Sequence, residues 1–445
     1  MNSIIEEIIM ETTAQVEKLG TEDTAETSEQ MDTTEERTAN ETGTFTRETI
    51  SEFSSNIQLV DSNSELDLFC YSSCDRTSPD IVKQCRGVVF SKDTLVMKAF
   101  PYTLEFSENE ETEISSKFSD WSKWSFYEAH EGTLLRMFYF GDNWYLSTHR
   151  KLNAFESKWS SSKSFGQLFT DALTYLYNND ALFKNMMFAN ADGVENPDVF
   201  ELFKKQLNKT QQYMFLVSNS VENRIVCQAP PHPTVFHVGT FFNNQLVSSE
   251  NNFFVGIPFS QQIYFKNVND MLSFVRNVNI KSYQGVIGFS QDNEQVKVLN
   301  NEYQRLFEFR ANEPSLKFRY LQLRKDENMV KTFVELYPNM VETINQYESI
   351  IHDVAIFIYN AYIQRFIKKL YVTVPKEEFA VIRECHSIYL ADRAKNISLT
   401  RVVSVLNNQP VVNLNHMIKR FKFEQSKRNR QVQLENTPPT EVVDM

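Results

Sequence analysis

The hydrophobic and polar positions follow two different periods along the chain. From about residue 51 to 310 the apolar positions come in short runs rich in β-branched and aromatic residues, several of them bounded by Gly, Asn or Asp. That is the pattern of strands in half-buried sheets. It predicts strands over 86–90, 133–139, 143–148, 213–218, 224–227 and 285–289. Gly141-Asp142-Asn143, between the second and third of these, has turn chemistry and predicts a β-hairpin. One helix is predicted within this region, over 165–178. After about residue 315 the period changes. Met340, Val341, Ile344, Tyr347, Ile351, Val354, Ile358 and Tyr362 recur every three or four residues, which is one helical face. Pro375 followed by Glu377 and Glu378 marks a second helix start, since proline suits the first turn and acids suit its dipole. Ser398 is positioned to cap a third helix, and a fourth runs from about Leu414 to Phe423. The expected fold class is α+β: a β-rich body with antiparallel sheets, followed by an all-helical C-terminal domain. The expected boundaries are a tail over 1–50, a β-rich domain over 51–312, a helical domain over 313–425 and a flexible tail over 426–445.

Composition sharpens the two ends of this picture. A chain of 445 residues can bury two or three cores, and it has no internal period of the kind that marks repeat architectures. The net charge of −13 is not spread evenly. Of 58 acidic and 45 basic residues, 13 and 3 fall in the first 50 positions, which leaves 45 and 42 for the remainder. The acidic N-terminal segment has too few apolar residues to offset its ordering entropy, so disorder is expected there. It is a candidate site for a protein partner, and its Ile4-Ile5-Glu6-Glu7-Ile8-Ile9 stretch suits either a brief amphipathic helix on that partner or a fluctuating end. The rest is close to neutral, which leaves room for a basic patch. Lys419-Arg420-Phe421-Lys422, continued by Lys427-Arg428-Asn429-Arg430, is such a patch, read either as a phosphate grip or as a solvated helix end. Five scattered cysteines, Cys70, Cys74, Cys85, Cys227 and Cys385, and no signal peptide point to a reducing compartment, the cytoplasm, and to structural or surface thiols rather than zinc. No uncharged apolar run is long enough to predict a membrane span.

The most informative stretch is Tyr127-Glu128-Ala129-His130-Glu131-Gly132-Thr133-Leu134-Leu135-Arg136. It resembles the first motif of the covalent nucleotidyltransferases, Lys-x-Asp/Glu-Gly-x-x-x-Arg, with Glu131, Gly132 and Arg136 in place and Ala129 at the lysine position. Further segments follow in order. Cys85-Arg86-Gly87-Val88-Val89-Phe90 and Lys98-Ala99-Phe100-Pro101 are similar to the entry strands of RNA ligases of the bacteriophage tRNA-repair type. Ser147-Thr148-His149-Arg150-Lys151 falls where that family has a small motif after its first hairpin. Met214-Phe215-Leu216-Val217-Ser218 with Asn223-Arg224-Ile225-Val226, then Tyr283-Gln284-Gly285-Val286-Ile287, then Val296-Lys297-Val298-Leu299-Asn300-Asn301-Glu302-Tyr303 resemble its third, fourth and fifth motifs. Each motif alone is weak, but the ordered set covers about residues 80–310. It implies a nucleotidyltransferase fold of ATP-grasp-like type, and the helical region after 315 matches that family's C-terminal domain.

The resemblance also implies a chemistry, which this sequence matches only in part. In the family a lysine attacks the α-phosphate of ATP, the AMP passes to an RNA 5′-phosphate, and a 3′-hydroxyl displaces it with the help of magnesium. Such a site needs an activated amine, carboxylates for metal and adenosine, and cations for phosphate. Here Ala129 has no nucleophile, Leu216 stands for the third-motif Glu, and no carboxylate occurs from Gln211 to Val221. Gln284 replaces the fourth-motif Glu, and Leu299 replaces the second lysine of the fifth motif. His130 is expected to face away from Ala129 by strand alternation, and Lys123 lies six residues upstream. Arg86, Glu131, Gly132, Arg136, Arg224 and Lys297 are the candidate nucleotide- or phosphate-binding remnants. His149, Arg150, Lys151, Lys419, Arg420 and Lys422 are the candidate RNA contacts. Each arginine is read either as a phosphate contact or as a structural hydrogen-bond donor. The leading expectation is a pseudoenzyme that binds RNA or a protein partner without self-adenylylation and needs no cofactor or metal. Two alternatives stand beside it: an active ligase using ATP and magnesium to join 5′-phosphate and 3′-hydroxyl RNA ends, and a structural or virion interaction protein.

Overall fold

The computed structural model describes residues 45–188, 197–247, 256–394 and 396–435. The disorder expected of residues 1–44 and of 436–445 lies outside the described residues. The folded body starts earlier than residue 51. A helix over Arg47–Ser51 opens with a capping box between Thr46 and Thr49, and its Ile50 is only 2% exposed. Arg47 pairs with Asp67 at 2.6 Å.

Fourteen strands among the described residues form three sheets. The first has the order β1-β2-β3-β4, made of Ile57–Ser62, Asp67–Tyr71, Arg86–Ser91 and Thr94–Met97. The second has the order β11-β10-β9-β7-β8, where β7 is Gly132–Phe140, β8 Asn143–Ser147, β9 Gln211–Ser218, β10 Val235–Phe242 and β11 Gln245–Leu246. The third has the order β12-β6-β13-β14-β5, where β5 is Leu104–Ser107, β6 Trp124–Glu128, β12 Gln262–Ile263, β13 Gly285–Ser290 and β14 Gln295–Leu299. All pairings are antiparallel except β14 with β5. The β7–β8 hairpin turns at Gly141-Asp142 with both residues at positive φ, as the turn chemistry predicts.

Alternation along the strands decides which faces are packed. On the second sheet Leu135, Met137, Tyr213, Phe215, Val217 and Val235 bury against helices Phe165–Asn179, Ala181–Phe188 and Val199–Gln206. Phe138, Met214 and Phe241 on its other face meet Leu68, Val89 and Met97 of the first sheet. On the third sheet Phe126, Val286, Val296 and Val298 pack on helices Glu111–Lys117 and Val268–Arg276. The opposite faces of the second and third sheets then enclose a cavity, the site described below.

One segment departs from the expected pattern. Residues 224–227 are not a strand; they are irregular. The backbone N–H groups of Ile225, Val226 and Cys227 are taken by a side chain instead of a ladder, so apolar composition alone misreads the segment.

The C-terminal region is helical: Leu316–Leu323, Glu327–Leu336, Val341–Tyr362, Lys376–Ala391, Leu399–Asn407 and Val411–Glu435. Ile344, Tyr347, Ile351, Val354, Ile358 and Tyr362, from the predicted face, bury in one core with Val381, Val402 and Ile418. Ser398 caps its helix by accepting from the backbone N–H of Arg401. The last helix runs to Glu435, so residues 426–435 continue a helix where a flexible tail was expected. Hydrogen bonds tie the helical region to the irregular segment of the β-rich body. Arg224 donates to the Leu336 carbonyl, and Tyr337 Oη donates to the Ile225 carbonyl at 2.6 Å. Among the described residues no helix is long and apolar enough to cross a membrane. All five cysteines are free, and all but Cys74 are buried.

Candidate functional site

The cavity between the second and third sheets measures about 540 Å³, within the roughly 300–1,000 Å³ range of small-ligand sites. Sheet register builds its walls. Across the third sheet, Ile287 pairs with Tyr127 on one side and Lys297 on the other, and Phe289 pairs with Ser125 and Gln295. Across the second sheet, Leu216 pairs with Leu134 and with Phe236. All of these line the cavity. Gly285, at φ +149°, sits so close to the Val298 carbonyl that a Cβ would collide with it. Glycine there lets β13 and β14 approach with Gln284 and Lys297 on one wall.

The cavity gathers several of the sequence candidates. Ala129, Gly132, Leu216, Gln284, Lys297 and Arg86 all line it. Lys297 Nζ donates to Gln284 Oε1 at 3.0 Å and lies 3.4 Å from Glu105 Oε1. Arg86 Nη1 donates to Thr103 Oγ1 at 2.8 Å, with the Pro101 carbonyl and Gln295 Oε1 at 3.3 and 3.4 Å. No ion pair among the described residues engages Arg86, so its charge stands on the cavity wall without a counter-charge. Lys123 lines the cavity too, 3.8 Å from Asp120. At roughly 3.3 Å rise per residue it lies about 20 Å from Ala129 along β6.

Other candidates are held elsewhere. Glu131 is 5% exposed and accepts from the backbone N–H groups of Ile225, Val226 and Cys227 at 3.0, 2.7 and 2.9 Å. It anchors the irregular segment 224–227. Arg136 is buried and donates to the carbonyls of Arg86, Gly87 and Thr148. Gly87, at φ +77°, leaves the space that its guanidinium fills. Arg224 donates to the carbonyls of Val226, Cys227 and Leu336 and covers the Tyr337 ring. These three charged groups serve backbone and packing. Leu299 is buried and is not among the lining side chains.

The RNA candidates split in the same way. His149 is neutral, because burial and the charges of Arg86, Arg136 and Arg150 push it down to about 3. Arg150 donates to the Tyr71 carbonyl, and Lys151 pairs with Asp61 at 3.2 Å. Arg420 is bound by Glu377 and Glu378, each at 2.6 Å, and Lys422 lies over the Tyr347 ring. Lys419, Lys427, Arg428 and Arg430 are exposed on the last helix.

His130 corrects the alternation argument. Strand β6 ends at Glu128, so residues 129–131 form a link in which alternation no longer applies, and His130 lines the cavity together with Ala129. Its ring stacks on Phe236 at 4.5 Å and 8°. Nε2 lies 3.4 Å from Glu128 Oε2. Burial holds His130 below the usual imidazole range, and burial raises the Glu128 carboxyl against a hydrogen bond from Tyr283. Sequence reasoning missed Glu128, Phe236 and Tyr283. The alternation of Ser125 and Tyr127 about buried Phe126 is a signal that could have found this wall.

The donor set bears on metal binding. Among the described residues, Glu128 is the one carboxylate on the cavity lining, and burial disfavours its charge. Magnesium seeks several hard oxygen ligands. Among the described residues no group of three or more His, Cys, Asp or Glu could hold a metal ion. Among the described residues, the cavity lining does not supply the set of carboxylates that would hold a resident magnesium ion.

No family model matches the chain. Among solved structures, it superposes on a protein of Aquifex aeolicus described as an ATP-dependent DNA ligase with 14% identity, a TM-score of 0.39, and coverage of 68% of this chain and 80% of that one. An archaeal ATP-dependent RNA ligase superposes with 11% identity, the same TM-score, and coverage of 68% and 79%. Superpositions this weak assign neither activity nor ligand. Sequence relatives are closer. An immediate-early protein ICP-46 homolog of Invertebrate iridescent virus 6 is 31% identical over 360 residues, 78% of this chain and 76% of that protein. The homolog of Invertebrate iridescent virus 3 is 28% identical over 365 residues, 78% and 75%. Immediate-early protein ICP-46 of Frog virus 3 is 25% identical over 203 residues, 44% and 49%. The chain belongs to this family of viral ICP-46 homologs.

Proposed function

We propose that this chain is a ligase-like body that binds a nucleotide or an RNA end in the intersheet cavity without forming a covalent nucleotide adduct. The observation that carries the reading is the meeting of Ala129, Leu216 and Gln284 in one cavity, beside the retained cations Arg86 and Lys297. The motif resemblance gives those three positions to the nucleophilic lysine and two carboxylates. A phosphoramide bond to AMP needs an amine, and Ala129 offers none. A site for a metal–triphosphate needs carboxylates, and Leu216 and Gln284 carry no charge. Arg86 and Lys297 suit a phosphate, and Tyr127, Phe236 and Phe289 suit the face of a base. The exposed basic side chains of the last helix would add non-specific phosphate contacts.

Equilibrium binding of AMP, ATP and a 5′-phosphorylated RNA tests the reading. Saturable binding is expected, weakened by about tenfold to a hundredfold by Arg86→Gln or Lys297→Met, because each removes a charged hydrogen bond of roughly 1.5–3 kcal/mol. If no nucleotide or RNA binds, or if both variants bind as the parent does, the proposal fails. The runner-up is an active ATP-dependent ligase. The presence of Lys123 and His130 on the cavity wall favours it, since either could act in place of the absent lysine.

A further inference from the structure

A second cavity, of about 290 Å³, adjoins the first. His130 and Phe236 line both, so their stacked rings are the wall between the two. The two cavities differ in chemistry. The larger combines aliphatic and aromatic side chains with Arg86 and Lys297. The smaller is lined largely by neutral hydrogen-bonding groups, among them Ser218, Asn219, Gln228 and Ser282, with Lys281 as its one cationic side chain among the described residues. Glu131 also borders it; both carboxylate oxygens accept from the N–H groups of residues 225–227, whose dipoles offset part of its charge. Lys281 is exposed and belongs to no ion pair among the described residues.

We propose that the two cavities form one bipartite site for two consecutive nucleotides of a single strand, divided by the His130–Phe236 stack. This rests on the reading of the larger cavity as a nucleotide site and extends it to its neighbour. One base lies in the larger cavity against Phe236. The strand crosses the partition, and the next sugar and phosphate meet Lys281 and the amides of Asn219 and Gln228. Two parallel rings at the boundary are what a strand needs to turn its bases apart, because any base stacks on an aromatic face without regard to its sequence. Among the described residues, the smaller cavity carries one exposed cation, one carboxylate whose oxygens are turned to backbone N–H groups, and several neutral donors and acceptors. That set matches a single phosphodiester with its ribose, which bears one charge, and does not match a triphosphate.

The test compares the full chain's affinity for 5′-phosphorylated mono- and dinucleotides, pA and pApA, in RNA form. The dinucleotide is expected to bind about tenfold or more tightly. Lys281→Gln and Asn219→Ala are expected to remove most of that advantage and to leave the affinity for pA unchanged. Lys281 is exposed and Asn219 makes one long contact to Glu131 at 3.5 Å, so neither change threatens the fold. His130→Ala is expected to reduce pApA binding more than pA binding. Equal affinities for pA and pApA would overturn the bipartite site, and so would a pApA advantage untouched by both Lys281→Gln and Asn219→Ala. Either result leaves the larger cavity as a nucleotide site. If neither pA nor pApA binds, the proposed function itself falls.

Discussion

Glu131→Ala should unfold the junction between the β-rich body and the helical region while leaving the larger cavity's own groups in place. The carboxylate accepts three short backbone hydrogen bonds, from Ile225, Val226 and Cys227, and a longer one from Asn219 at 3.5 Å. Removing a partner from a buried N–H costs roughly 1–3 kcal/mol each, so three bonds give about 3–9 kcal/mol. The adjoining smaller cavity lets water reach some of the orphaned groups, which brings the expected loss to the low end, about 3–5 kcal/mol. That is a large part of the roughly 5–15 kcal/mol by which a domain is stable. The segment Glu131 holds also carries the Arg224 and Tyr337 contacts to the helical region, so unfolding should lose cooperativity. Urea denaturation followed by far-ultraviolet circular dichroism and by tryptophan fluorescence measures both effects. Glu131→Gln, which keeps one acceptor oxygen, should fall between. A variant as stable as the parent that loses nucleotide affinity would refute the reasoning and return Glu131 to a ligand-binding role.

Three further outcomes follow from the same geometry. A chain beginning at Phe45 should match the full chain in stability, whereas one beginning at Glu52 should lose about 3 kcal/mol with the Thr46 cap and the buried Ile50, a difference that thermal melting resolves. His149 and His237 are buried and neutral, held down to about 3 and about 4 from 6.5, so the unfolded chain takes up protons before the folded one as pH falls below 6.5. Stability should therefore drop with acidification, by up to about 2 kcal/mol per histidine near pH 5, and replacing both with Gln should flatten the slope of urea midpoint against pH. Ala129→Lys alone should give little or no adenylate, because groups that act as a unit are not repaired singly. Adding Leu216→Glu and Gln284→Glu is the fairer attempt to recover a trace of covalent labelling, since those positions line the cavity and Leu299 does not.

Much of the scaffold was legible in the residue pattern. Alternating runs marked β7, β8, β9 and β13, and the face from Ile344 to Tyr362 marked the central helix, because both signals come from burial along one element. The cavity was legible where motif positions converge on it, as at Ala129, Leu216, Gln284 and Lys297. What stayed hidden depends on contacts between segments far apart in the chain. Residues 224–227 look like a strand until Glu131, more than ninety positions earlier, takes the N–H groups of residues 225–227. Arg136 and Arg224 look like phosphate ligands until backbone carbonyls claim them. His130 was misdirected by alternation because the strand stops two residues before it. The smaller cavity was not legible as a site, since its walls combine ends of two motif segments, at His130-Glu131 and Ser218, with loop residues far away in the chain.

The central claim is that the cavity binds without bonding. It is tested most directly by incubating the purified chain with ATP labelled at its α-phosphate, in magnesium, and resolving it by denaturing electrophoresis and mass spectrometry. No covalent AMP is expected, while equilibrium dialysis of the same preparation detects bound nucleotide. Label that survives denaturation and maps to Lys123, His130 or another cavity residue would contradict the account and establish the active ligase in its place.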